Sequence, residues 1–117
     1  MKNAVLTFVM LFSVALMAQE ENIKPIFEKD GDIITATYFH ENGEIAQTGE
    51  MLNNRPHGKW VAYDVEGNKT AVAYYNKGIK TGKWFIWSAD KLAEVDYRDN
   101  TIINVVNWDK TNTLVKN

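Results

Sequence analysis

Between residues 33 and 108 apolar and polar side chains change places in short runs, and where a period is visible it is two. Ala93, Val95 and Tyr97 are interleaved with Glu94 and Asp96, the pattern of a strand with one face turned to a core. Two runs break the alternation. Residues 71–75 are apolar throughout, and Trp84-Phe85-Ile86-Trp87 is apolar on both faces, which predicts a central strand or one whose second face meets a partner. No stretch after residue 30 carries a helical stripe of useful length.

Turn residues divide these runs. The segment 33–40, rich in Ile, Thr, Tyr and Phe, ends in Glu41-Asn42-Gly43, and Asn-Gly accepts the positive φ that a tight turn demands. Residues 44–52 run back to a longer connection over 53–58, where Pro56 cannot donate to a ladder and Gly58 permits a bend into the next strand. The cycle repeats with 59–63, a turn over 64–67, a return over 68–75 and a second long connection over 76–82. Then come 83–87, a turn at 88–91, 92–97, a third connection over 98–101, and 102–108, with a last short strand over 113–115. About seven short strands joined by local turns predict an all-β, antiparallel meander of repeated hairpins.

The repeat is explicit. Gly58-Lys59-Trp60 returns 24 residues later as Gly82-Lys83-Trp84, with a second aromatic three positions on, Tyr63 and then Trp87. Gly43 and Gly67 share that spacing, as do Phe39 and Tyr63, and Trp108 continues the tryptophan column beyond Trp84. The last copy diverges: Lys91 and Val106 stand where the frame calls for glycine. Gly43, Gly58, Gly67, Gly82 and Trp108 are thus read as structural repeat positions of stacked hairpin units.

These residues resemble MORN-type repeats, in the variant found in bacterial proteins described as antitoxin-component MORN-like proteins. The family pattern of glycine, tryptophan, aromatic and turn glycine falls on Gly58, Trp60, Tyr63 and Gly67, and again on Gly82, Trp84 and Trp87, with Lys91 departing from the closing glycine. The resemblance covers about residues 37–108. It implies a β-hairpin repeat scaffold that binds protein or associates with membranes, and it implies a scaffold better than a reaction.

The amino terminus is a separate element. Lys2, an apolar run over 4–16 and Ala18 before Gln19-Glu20-Glu21 predict a secretory signal peptide, residues 1–18, and a secreted or periplasmic location. The run falls short of the roughly 20 residues of a membrane anchor, so no transmembrane segment is expected in the mature chain. Residues 19–32 are read as an arm or leading strand, and 33–117 as the repeat domain. With no cysteine in the chain, the fold must hold by packing and hydrogen bonds alone. Without Lys2, twelve basic residues face fifteen acidic ones. Their signs are interspersed, without the basic stripe that nucleic acid requires.

Chemistry is sparse. His40 and His57 lie 17 apart beside turns and are not repeated in the frame, so a metal site, which would recruit Glu41 or Asp64, is not expected. Asp30, Asp32, Asp90, Asp96, Asp99 and Asp109 suggest no paired acid and base. Ser13 and Ser88 lie in no nucleophile motif. The expectation is a non-enzymatic module without cofactor or metal. Its contact surface is placed on Trp60, Tyr63, Tyr74, Tyr75, Trp84, Trp87 and Tyr97, since aromatic side chains give large contact area at low entropic cost. The column serves first as core packing, with a solvent-facing groove as the other reading. The expected partner is an unidentified protein or a second copy, pairing along an uncapped strand such as 102–108. A carbohydrate or cell-wall glycan stacked on the aromatics, with Asp96, Asp99 or Asn100 on its hydroxyls, is the alternative.

Overall fold

The computed structural model describes residues 23–109 and the backbone of 114–116. The expected signal peptide lies outside the described residues. Ten strands form one antiparallel sheet: β1 (Ile26–Asp30), β2 (Ile33–Phe39), β3 (Ile45–Leu52), β4 (Arg55–Tyr63), β5 (Lys69–Asn76), β6 (Ile79–Lys80), β7 (Gly82–Ser88), β8 (Lys91–Arg98), β9 (Thr101–Asp109) and β10 (Leu114–Lys116). Strand order in the sheet follows the chain, with β6 a short addition beside β5, and β1 and β10 are not joined. The expected meander therefore forms as an open sheet, not a barrel. Among the described residues no helix is long and apolar enough to cross a membrane.

The strands beyond seven are β1, β6 and β10, and the long connections are themselves tight hairpins. Asn53 and Asn54 have φ of 51° and 63°, Lys77 and Gly78 have 50° and 86°, and Asp99 and Asn100 have 51° and 68°. Two consecutive left-handed residues make a turn whose twist matches that of the flanking strands. Pro56 accordingly lies inside β4, opposite Met51, and not in a loop. The expected arm contributes β1, paired with β2 from Ile26↔Thr37 to Asp30↔Ile33.

Each tryptophan of the first two units sits beside a break in the ladder. Between Gly49 and Glu50 the partner on β4 jumps from Trp60 to His57, and the same irregularity separates β6 from β7. Gly58 and Gly82, at φ of 77° and 73°, supply the left-handed residue there, a conformation that costs L side chains roughly 1–2 kcal/mol. The Trp60 indole N–H donates to the Glu50 carbonyl at 2.9 Å, and that of Trp84 to the Tyr74 carbonyl at 3.1 Å. Those acceptors are 24 residues apart, as are the donors.

Cross-strand partners share a face, so the registers sort the side chains. One face carries Ala36, Tyr38, Trp60, Ala71, Ala73, Trp84, Val95 and Tyr97, all buried in one cluster, with Met51, Tyr75, Ile86 and Val105 packed against it. The Trp60 ring lies flat on Gly49, where an added Cβ would run into the indole. Trp84, one step beyond the Val72↔Phe85 pair, comes alongside the wholly buried Ala73.

The third unit is out of step with this column. The turn of the third hairpin follows that of the second by 22 residues instead of 24, and its ladder carries a smaller irregularity, between Asp96 and Tyr97. Trp108 consequently pairs with Leu92 on the opposite face from the core, while Val105 pairs with Val95 in the place that Trp60 and Trp84 hold in their hairpins. Trp108 continues the tryptophan spacing but not its structural role. Val106, at the expected glycine, pairs with Glu94 in the plain ladder.

Gly49→Ala is expected to lower stability by about 1–3 kcal/mol, because the new methyl group must displace an indole in a packed core. Trp84→Ala is expected to cost about 3–5 kcal/mol. Urea denaturation midpoints measure both, and an unchanged midpoint for Gly49→Ala would show that the ring does not rest there.

Candidate functional site

The aromatic residues expected to form one contact surface are divided between the faces. Trp60 is 5% exposed, Trp84 0% and Tyr97 4%, so all three belong to the core and present no surface. Tyr75 is half-buried against Trp84, with ring centres 5.3 Å apart. Tyr97 approaches the same indole at 4.7 Å. Tyr63, Tyr74 and Trp87 are half-buried, and Tyr74 shares the second face with Lys59, its partner across the ladder. The single sequence signal for position was the alternation of faces, and the apolar run 71–75 concealed it.

Around Trp84 the core also carries polar groups. Lys80 Nζ lies 5.8 Å from the centre of the Trp84 ring and 5.5 Å from that of Tyr97, an attraction of cation to ring face. Burial holds its ammonium pKa below the usual value. Burial also pushes the phenols of Tyr75 and Tyr97 up to about 12, with Tyr97 adding to the effect on Tyr75. The Tyr97 hydroxyl is buried without a hydrogen-bond partner.

The second face of the last three long strands carries a different set. Lys83 Nζ lies 3.3 Å from Asp96 and 3.4 Å from Glu94. The hydrogen bond to Asp96 leads the effects that raise its pKa, and the Asn104 amide donates to Asp96 at 3.4 Å. One pair further on, Phe85 and Trp87 stack at 6.1 Å and 22°. Leu92 stands between Trp87 and Trp108 in the ladder. Trp87, Leu92 and Trp108, with Ala89, Asp90, Lys91 and Asp109, line a shallow open cleft of about 320 Å³. The sequence named Trp87 and Trp108 for different reasons; only the register brings them to one place.

The histidines act as staples between turns. His40 Nε2 donates to the Tyr63 carbonyl at 2.8 Å, and His57 Nδ1 accepts from the Lys77 N–H at 3.0 Å. They serve different pairs of turns and share no site. Asp64 caps its own turn, accepting from the N–H groups of Asn68 and Glu66 at 2.9 Å each; its hydrogen bond from the Asn68 backbone leads in holding its pKa low. Among the described residues no three His, Asp or Glu side chains come together as metal ligands.

Stability is expected to fall at alkaline pH through the two buried phenols. Their pKa lies above the ordinary 10.0 in the fold, so the unfolded chain releases protons first. The full contribution is present below pH 10 and is lost as pH rises through about 12. Urea unfolding at pH 9 to 11.5, with tyrosinate absorbance followed in parallel, measures the slope. The Tyr75→Phe, Tyr97→Phe double variant should flatten it, and an unchanged slope would assign the effect elsewhere. At neutral pH, Tyr97→Phe alone should leave stability unchanged or raise it by about 1 kcal/mol, since it removes a buried hydroxyl that has no partner.

No protein-family model, curated protein or solved structure matches the chain significantly. The molecule is an all-β domain, an open antiparallel sheet, in which the described residues carry neither cysteine nor a metal-binding cluster.

Proposed function

We propose that this chain is a non-enzymatic, protein-binding scaffold of MORN-like hairpins that acts outside the cytoplasm and holds a second polypeptide strand along the β1 edge. The observation that carries this reading is β1 itself. Among the described residues it pairs with β2 alone, all five of its residues are exposed, and Ile26 and Phe27 are 50% and 55% exposed. An open edge with apolar side chains is a template for strand addition, with main-chain hydrogen bonds supplying affinity and alternate side chains supplying selectivity. Phe27 already meets Tyr38 edge to face at 6.0 Å, so a strand laid beside it would extend an apolar surface that begins in the core.

The edge anticipated over 102–108 is only half open. β10 pairs with Val106, Asn107 and Trp108 of β9, and among the described residues the part from Thr101 to Val105 has β8 as its one neighbour. Ile103, 49% exposed, marks that stretch. The N-terminal apolar run supports an exported location, and the absence of a nucleophile motif from the sequence supports a binding role over a catalytic one.

A second copy is the simplest occupant of the β1 edge. Sedimentation equilibrium at tens of micromolar is expected to show a dimer that Phe27→Lys converts to monomer, since an edge lysine blocks pairing. A wild-type monomer, or a dimer indifferent to Phe27→Lys, would remove β1 as the contact.

A further inference from the structure

The cleft between Trp87 and Trp108 lies on the face away from the core and far along the sheet from β1, so it stands or falls separately from the strand-addition reading. We propose that it binds one ring of a neutral pyranose sugar. Trp87 and Trp108 both neighbour Leu92 across the ladder, on either side of β8. Two strand spacings place their backbones about 10 Å apart, and the leucine forms an apolar floor between them. A pyranose has C–H faces suited to indole rings and a rim of hydroxyls that both donate and accept.

The rim of the cleft matches that second requirement. Asp90 and Asp109 supply carboxylate acceptors and Lys91 an ammonium donor. At about 320 Å³ the space is at the small end of ligand sites, which run from roughly 300 to 1,000 Å³, large enough for one sugar ring. The indole N–H of Trp108 is closed to solvent and has no acceptor among the described residues; a ring oxygen or hydroxyl provides one as the side chain turns on seating the ligand. These features separate a sugar from the other small ligand that aromatic rings and carboxylates attract, an organic cation. A quaternary ammonium offers nothing to an unpaired N–H donor, and Lys91 offsets one of the two carboxylates that attract it.

The test is an NMR titration of the purified protein with cellotetraose and chitotetraose, and separately with tetramethylammonium chloride. Either oligosaccharide should give saturable shifts confined to residues 87–92, 108 and 109, the Trp108 indole N–H among them, with a Kd of about 1 mM. Trp87→Ala should weaken binding by about tenfold or more, while Trp87→Tyr, which keeps a ring and guards against loss of fold, should retain most of it. The proposal is overturned by an absence of saturation with both sugars, by affinities that Trp87→Ala leaves unchanged, or by tetramethylammonium saturating the same signals where the sugars do not.

Discussion

Everything else in this sheet depends on an indole laid over a break in a β-ladder. Without disulfides and with a single layer of strands, the fold needs large side chains that lie down on the sheet, and a tryptophan can do so only where the strand beneath has little side chain and its own N–H finds an acceptor. Gly49 and Ala73 on the neighbouring strands meet the first demand, and the left-handed glycine two residues before each tryptophan meets the second. It shifts the ladder, and the carbonyl at the break, of Glu50 or Tyr74, accepts the indole proton. Burial without an unsatisfied donor follows, and the core cluster assembles around it.

That unit was legible in the sequence because it is made of residues with few substitutes. Gly58, Gly82, Trp60 and Trp84 are spaced by backbone need, and the alternation of 93–97 correctly predicts a strand of mixed faces. The rest was less legible, for reasons of register. Asn53-Asn54 and Asp99-Asn100 read as parts of loops, yet each pair turns the chain in two residues. The third hairpin turns two residues early and its ladder break skips one residue instead of two, which leaves the spacing from Trp84 to Trp108 intact in the sequence while moving Trp108 to the opposite face. A period in sequence becomes a period in space only if every turn between the copies has the same length.

The candidate site illustrates the same limit. Density of aromatic residues does not say which face each will occupy, and Trp60, Trp84 and Tyr97 are consumed by the core. The accessible aromatic chemistry collects instead where the repeat fails. Trp87 occupies a repeat position, whereas Trp108 reaches its side only through the shortened hairpin. Regular units here build the support, and the departure from regularity creates the concave feature between Trp87 and Trp108.

The residues beneath the indoles also bear on how long such an array can grow. Gly49 lies under Trp60 and Ala73 beside Trp84; the corresponding position of the next strand is Val95, itself buried and paired with Val105. Its side chain fills volume that a third indole would need. Duplication of a hairpin at this end would therefore not lengthen the stack, because the incoming tryptophan would find its seat taken. Val95 acts as a terminator written into the core, and a longer descendant of this chain would have to exchange it for a smaller residue before it could gain another unit.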